Sequence, residues 1–386
     1  MQVPLAISHI VMWTDRAGRE ASRQHLTRLL IDHHQASPGQ ESTHLRVDLG
    51  TWRLRWEMHT EFVSWTFMRE VDDHALSNAS PPTALQVVPQ DWLAALPGLA
   101  LVKLHMWAMP SKVIEIGDFA RILQEDSLVA STLSDGQAEV HTDFQIHADG
   151  FARMVLFVGS VSPRRAGRVV QQLLEIETYR MAAMLGLPAA RQAASVLSDA
   201  EHELAELAQA IRLADRSDEA ALLDRLTTLA GQVEGQYAAT HSRFSATKAY
   251  FEWVDRRILD IRESRLAGQQ TIAEFMDRRL SPARSTCEWA VRRQTALSER
   301  VSRMSNLLRT RVEIEQQQSS QDLLAAMNRR QGLQLKLQSA VEGLSVAAIT
   351  YYLAGLVEHV AEGLAQHGWP FDVNTTTAVA VPVIAL

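Results

Sequence analysis

The stretch Arg-Trp-Glu-Met-His-Thr-Glu-Phe, residues 55–62, holds the most suggestive chemistry in the chain. Read with a period of two, Glu57, His59 and Glu61 share one face, and Trp56, Met58, Thr60 and Phe62 share the other. Two carboxylates around an imidazole are donors that a divalent cation accepts. Alternate side chains on a strand stand about 6.6 Å apart, so convergence on one ion needs strand twist or donors from another element. The segment His-Thr-Asp-Phe-Gln-Ile-His, residues 141–147, offers such donors, because His141, Asp143, Gln145 and His147 again fall on one face. If the two strands pair, Glu57, His59, Glu61, Asp143 and His147 form a metal or small-ligand site. The competing reading is structural. With Arg53 and Arg55, these residues make one polar strand face, solvated or covered by a helix and held by cross-strand Arg–Glu and His–Asp pairs. A metal-dependent hydrolytic site is the third reading, and the spacing alone leaves all three open.

Other signals of catalysis are missing. The sequence has no Walker P-loop, no Gly-x-Gly-x-x-Gly after a strand, no Gly-x-Ser-x-Gly and no Cys-x-x-Cys. Cys287, the single cysteine, adjoins Glu288, which disfavours a thiolate and excludes a disulfide within the chain. Glu175, Glu177, Tyr179 and Arg180 lie in a helical stretch, where Glu177 and Arg180 have the spacing of a surface ion pair. The net charge of -7 argues against general nucleic-acid binding, which needs a basic face. The expectation is a non-enzymatic protein with no required cofactor, a divalent cation being the one compatible ligand.

The elements that must position these residues change character along the chain. Through residue 160, short alternating segments read as strands: residues 6–13, 45–49, 52–56, 99–107 and a hairpin over 138–159 turning at Ala148-Asp149-Gly150. Residues 16–34 read as a helix, Gln90 opens a short one, and 78–82 is a loop by its turn residues. A mixed sheet of six or seven strands with packed helices follows. After Gly159 the pattern is helical. Ser162-Pro163 starts a helix expected to end at Leu185, before Gly186 and Pro188. Further helices are expected over 198–236, with a break near 215–218, over 241–267, and over 271–280, closed by Pro282. No proline then occurs until Pro370, and Leu297, Val301, Met304 and Leu308 repeat with the 4-3-4 spacing of a coiled coil, as do Leu337, Val341, Leu344 and Ala348. One very long helix is the simplest reading, with Gly332 as its one point of interruption.

Residues 343–357 carry no charge, and a second uncharged run of 12 residues begins at Thr375. A membrane hairpin is the reading, with a first span near 344–360 at the lower length limit and a second that needs a closing flank. Tyr351 and Tyr352 would be interfacial or interhelical, with Leu344 opening the span and Gly355 near its far end. Arg329, Arg330 and Lys336 precede the first span, whereas Glu358, Glu362 and Asp372 follow it without Lys or Arg, which puts the N-terminal bulk in the cytoplasm. The fold expectation is thus α+β: a mixed-sheet α/β domain over 1–160, an α-helical stalk over 161–340 and a transmembrane hairpin over 341–386, with homo-oligomerisation through the stalk and the lipid bilayer as partner.

Segments of this sequence, among them WEMHTEF, HTDFQIHADGF, LLEIETYRMAAMLGLPAAR, RFSATKAYFEWV and LQLKLQSAVEGLSVAAITYY, resemble a bacterial family known as a domain of unknown function, number 3422. The resemblance implies a membrane-anchored protein of the inner membrane, and a further segment ahead of Val3-Pro4. In architecture the chain also resembles the CorA-type magnesium transporters, which are pentamers with a Gly-Met-Asn motif at the pore mouth. Here the corresponding place reads Gly355-Leu356-Val357. That resemblance implies an oligomeric divalent-cation channel as the alternative to an anchored sensing or scaffolding protein.

Overall fold

The computed structural model describes residues 1–39, 41–77, 80–110, 121–214, 218–365, 368, 370 and 372–385. Nine strands form among them: β1 (Leu5–Trp13), β2 (His44–Asp48), β3 (Arg53–Met58), β4 (Phe62–Glu70), β5 (Leu99–Met109), β6 (Val129–Leu133), β7 (Ala138–Thr142), β8 (Ala152–Phe157) and β9 (Ser264–Arg265). They build one sheet in the order β2-β3-β4-β1-β5-β8-β7-β6-β9. Only β5 and β8 run parallel, so the sheet is mixed, as expected. It is wider than the sequence reading. The sequence reading places no strand at β4, β6 or β9: β4 is buried on both faces from Phe62 to Phe67 and so does not alternate, β6 is only five residues long and β9 two.

Strand alternation gives the sheet two apolar faces, and different parts of the chain cover them. On the first, Trp56, Trp65, Phe67 and Leu54 pack with Leu26, Leu29 and Leu30 of α1 (Arg16–Asp32). That helix opens on Asp15, whose side chain accepts from the Gly18 amide at 2.7 Å, satisfying one of the free N-terminal donors. The short α2 (Gln90–Ala94) adds Trp92, which stacks on the His25 ring at 4.5 Å. The second face is roofed from much later in the sequence. Leu5, Ile7, Val11 and Met106 meet Val169, Val170 and Leu173 of α3 (Pro163–Met184), with Phe251 and Phe275 from the two long helices that follow.

Those helices depart from expectation at three places. α3 starts at Pro163 and ends at Met184, as read, but the next helix, expected from 198, begins at once: α4 (Gly186–Leu213) holds Pro188 in its first turn, where a missing N–H is harmless. α5 (Glu219–Asp260) joins what reads as two helices. Residues 215–217, where the break was expected, lie outside the described residues. α6 (Ile272–Ala365) runs for 94 residues straight through Pro282 and Gly332. An interior proline costs a helix about 3 kcal/mol. Burial of Leu280 and Ala283 in the roof, on either side of Pro282, offsets it. A last helix, α7 (Val373–Ala385), follows.

The contacts divide the chain into two compact units, residues 1–209 with 225–302 and residues 210–224 with 303–386. Residue 160 falls inside the first unit, where α3 and part of α5 pack on the sheet and α4 packs on α5 and α6. At the start of α6, Glu263 ties roof to sheet edge. It accepts from Ser131 Oγ of β6 at 2.8 Å and from the α6 amides of Ile272 and Ala273 at 3.0 and 2.7 Å. In the second unit, Glu219 of α5 pairs with Arg311 of α6 at 2.5 Å.

Gly186 shows how closely α4 and α5 approach. A Cβ there would overlap Thr247 Oγ1 and lie 2.6 Å from its Cγ2. Gly186→Ala is expected to lower stability by about 1–3 kcal/mol, despite alanine's better helix propensity. Thr247→Ala in the same chain should recover part of the loss, as read from urea midpoints.

Candidate functional site

The polar groups of the second face gather where β3, β4 and β1 pass under α3 and α5. His9 of β1 is buried, with Nδ1 2.8 Å from Thr66 Oγ1 of β4 and Nε2 3.0 Å from Thr178 Oγ1 of α3. On β3, Arg55 donates to Glu57 at 2.5 Å. In the turn to β4, Glu61 receives two bonds from Arg243, at 3.0 and 2.8 Å, and one from the Tyr250 hydroxyl at 2.8 Å. Glu175 of α3 is bonded by Arg257, which also donates to Asp260 at 2.8 Å. Aromatic rings fill the space between these pairs. His59 stacks on Phe62 at 4.4 Å, and Tyr179 stacks on Tyr250 and on Trp253, each at 6.0 Å.

This geometry sets the charges. Burial pushes His9 down to about 3, with the nearby Arg55 charge and His59 acting in the same direction. Burial also lowers His59, against the opposing pull of Glu57 and Glu175. Both imidazoles are therefore neutral at pH 7. Burial raises Tyr179, and for Tyr250 the bond to Glu61 adds to it, so both phenols stay protonated. Each of Glu57, Glu61 and Glu175 has its own arginine. The cluster is thus an ion-paired clamp that fastens α5 and α3 to the β3–β4 turn.

The sequence-predicted residues separate into three places. Glu57 lies in β3, but the strand ends at Met58, and His59 and Glu61 belong to the turn, where the His59 amide bonds the Phe62 carbonyl at 2.8 Å. The period-two reading fails there because the hairpin turns three residues early. Asp143 and His147 follow β7, and four strands stand between β7 and β3. At about 4.8 Å per strand that is roughly 24 Å, so the five residues do not share a site. Asp143 is fully buried. It closes its own loop by accepting from the Gln124 and Gln145 amides at 2.9 and 3.0 Å and meeting His147 Nε2 at 2.8 Å. Among the described residues no group of three or more His, Cys, Asp or Glu has the arrangement to hold a metal ion. Leu344, Tyr351 and Tyr352 are exposed on α6, and the Gly355 carbonyl meets His359 Nδ1 at 3.0 Å. The sequence reading missed His9, Thr178, Arg243, Tyr250 and Arg257. A signal existed for the last three, which recur every seven residues along one face of α5.

A family model described as a protein of unknown function, DUF3422, matches residues 1–386. The chain belongs to this family. No curated protein and no solved structure matches it significantly. The DUF3422 chain therefore takes its functional reading from its own geometry.

Two measurements check the electrostatics. Glu61→Gln is expected to cost about 2 kcal/mol, the worth of charge-assisted bonds to Arg243, and to lower the Tyr250 pKa in an ultraviolet titration. Histidines held neutral bind no proton in the folded state, whereas the unfolded chain takes one up below 6.5. Stability is then full above that pH and falls on acidification, by about 1.4 kcal/mol per pH unit for each such group. His9, at about 3, and His105, at about 4, both contribute between pH 6.5 and 4. His9→Asn should make the decline of urea midpoints over that range shallower.

Proposed function

We propose that this DUF3422 protein is a non-enzymatic, membrane-anchored protein of the bacterial inner membrane whose first unit is a cytoplasmic sensing or scaffolding module. One observation carries the reading. An apolar stretch of α6 is long enough to cross a bilayer, and none of it is buried within the structure. Leu344, Val346, Ile349, Leu353 and Leu356 all stand exposed. Burying an aliphatic side chain is worth about 1.5–3 kcal/mol, so five left in water are a large penalty that a bilayer removes. The orientation rests on Arg329, Arg330 and Lys336 ahead of this stretch and on the absence of Lys and Arg beyond it. The non-enzymatic reading is supported by the clamp, where Glu57, Glu61 and Glu175 are each engaged by an arginine. Association of copies through α6 is supported by exposed Leu337, Val341 and Leu344 at coiled-coil spacing.

The channel reading draws on the succession of a long apolar-ended helix and a second apolar helix. Ser345, the polar group at the start of the apolar stretch, bonds the Val341 carbonyl at 2.8 Å and so needs no pore lining to satisfy it. Anchoring is the better-supported reading.

In cell fractionation, the full chain is expected in the inner-membrane pellet after alkaline carbonate, and a chain ending at Ala340 in the supernatant. Recovery of the full chain in the soluble fraction would end the anchoring proposal. A closed ring of subunits by mass measurement would favour the channel.

A further inference from the structure

A cleft of about 600 Å³ lies on the Trp-rich face of the sheet, between β1 and β5 below and α2 with the short turn before it above. That volume falls in the range of small-molecule sites, about 300–1,000 Å³. Ile10 and Met12 of β1, with Leu85 and Leu93 of the cover, supply an apolar wall. Lys103 and His105 enter from β5, where their spacing of two puts them on one face. Phe151, just ahead of β8, borders both. Its ring lies nearly parallel to that of His105 at 4.0 Å, and the Lys103 ammonium stands 5.6 Å from its centre.

The hydrogen-bonding pattern locates the proton on His105. Its Nδ1 lies 2.8 Å from Ser8 Oγ, and Ser8 is fully buried with no other side-chain partner among the described residues. A hydroxyl that did not donate here would be a buried donor left unpaired, so Ser8 gives its hydrogen to Nδ1. Burial holds the imidazole down to about 4, so the ring is neutral at pH 7 and carries its own hydrogen on Nε2. His105 is 4% exposed, and its Nε2 has no acceptor among the described residues. An N–H donor of fixed direction is thus held at the cleft without a partner.

The charges around it decide what that donor can meet. Asp149 also lines the cleft, but its Oδ1 accepts from the Phe151 amide and its Oδ2 from Arg153, each at 3.0 Å, so its charge is balanced. Lys103 is exposed and makes no ion pair among the described residues. Thr83, Gln86 and Gln90 bring hydroxyl and amide groups, donors and acceptors alike, and no charge. A single positive charge is left over, beside a neutral N–H donor and an aliphatic wall.

We propose that this cleft binds a small organic monoanion, a carboxylate whose oxygens accept from Lys103 Nζ and His105 Nε2 while its apolar body lies against Ile10, Met12 and Leu85. A monoanion matches the surplus charge. An amine of the same shape would face the Lys103 ammonium and an Nε2–H that cannot accept, and a dianion would leave one charge unmatched. The site lies wholly in the first unit and does not depend on anchoring.

The test is titration calorimetry on the purified full chain in a non-ionic amphipol, with hexanoate, hexanamide, hexylamine and inorganic phosphate as probes. Hexanoate should bind saturably, at one site per chain, below about 1 mM, and hexanamide at least about tenfold more weakly. Hexylamine and phosphate should bind more weakly still. Lys103→Met keeps the stem and removes the charge, and it should weaken hexanoate about tenfold, to the level of hexanamide. His105→Phe keeps a ring for Phe151 and removes the donor, and it should also weaken hexanoate about tenfold. If His105→Phe fails to fold, Lys103→Met, at an exposed position, decides alone. No saturable binding of hexanoate, equal affinity for hexanamide, tighter binding of hexylamine or phosphate, or full hexanoate affinity in either folded variant would overturn the proposal.

Discussion

A wide sheet has two apolar faces, and this chain covers only one of them locally. The Trp-rich face is closed by α1, three residues after β1 ends. The other stays open until helices beginning at Pro163 return over it. α3, the middle of α5 and the first turns of α6 answer that need. α3 lies on the sheet, α5 comes back across β3 and β4, and the first turns of α6 complete the roof. The clamp around Glu61 fixes where α5 crosses, and the carboxylate of Glu263 fixes where α6 departs. Ion pairs of this kind add little net stability but select one arrangement among several that would bury the same apolar area.

The legible parts of the fold were those with strong periodicity. β1, β5 and α1 show clear alternation or helical spacing, and they form within one or two residues of expectation. The long helix was legible from its lack of proline beyond Ala283. What could not be read was tertiary override. Pro282 reads as a stop, yet roof packing carries α6 through it. Gly186 lies just past the end of α3, as its type suggests, but α4 begins on it at once, and its close approach to Thr247 of α5 left no mark in the local pattern.

The site was legible in composition and not in geometry. RWEMHTEF does hold ion-paired polar groups, but a period-two reading assumes a strand that continues to Phe62. The turn at His59–Glu61 directs Glu61 to α5 and leaves His59 stacked on Phe62. Asp143 and His147 likewise looked like face residues and proved to be loop closure. Partners of opposite charge were the missing information: Arg243 lies 182 positions away from Glu61, and local sequence patterns do not reach that far.

The smallest strand has a consequence for how the protein is made. β9 is two residues long, pairs Arg265 and Ser264 with Ser131 and Thr132, and caps the outer edge of β6. On a ribosome, β6 emerges about 130 residues before its cap. For that interval the nascent sheet presents an open edge, the kind that recruits strands from neighbouring chains. Safe synthesis then depends on the rate at which α3, α4 and α5 are delivered, and a translational pause between Leu133 and Ser264 would lengthen the exposure.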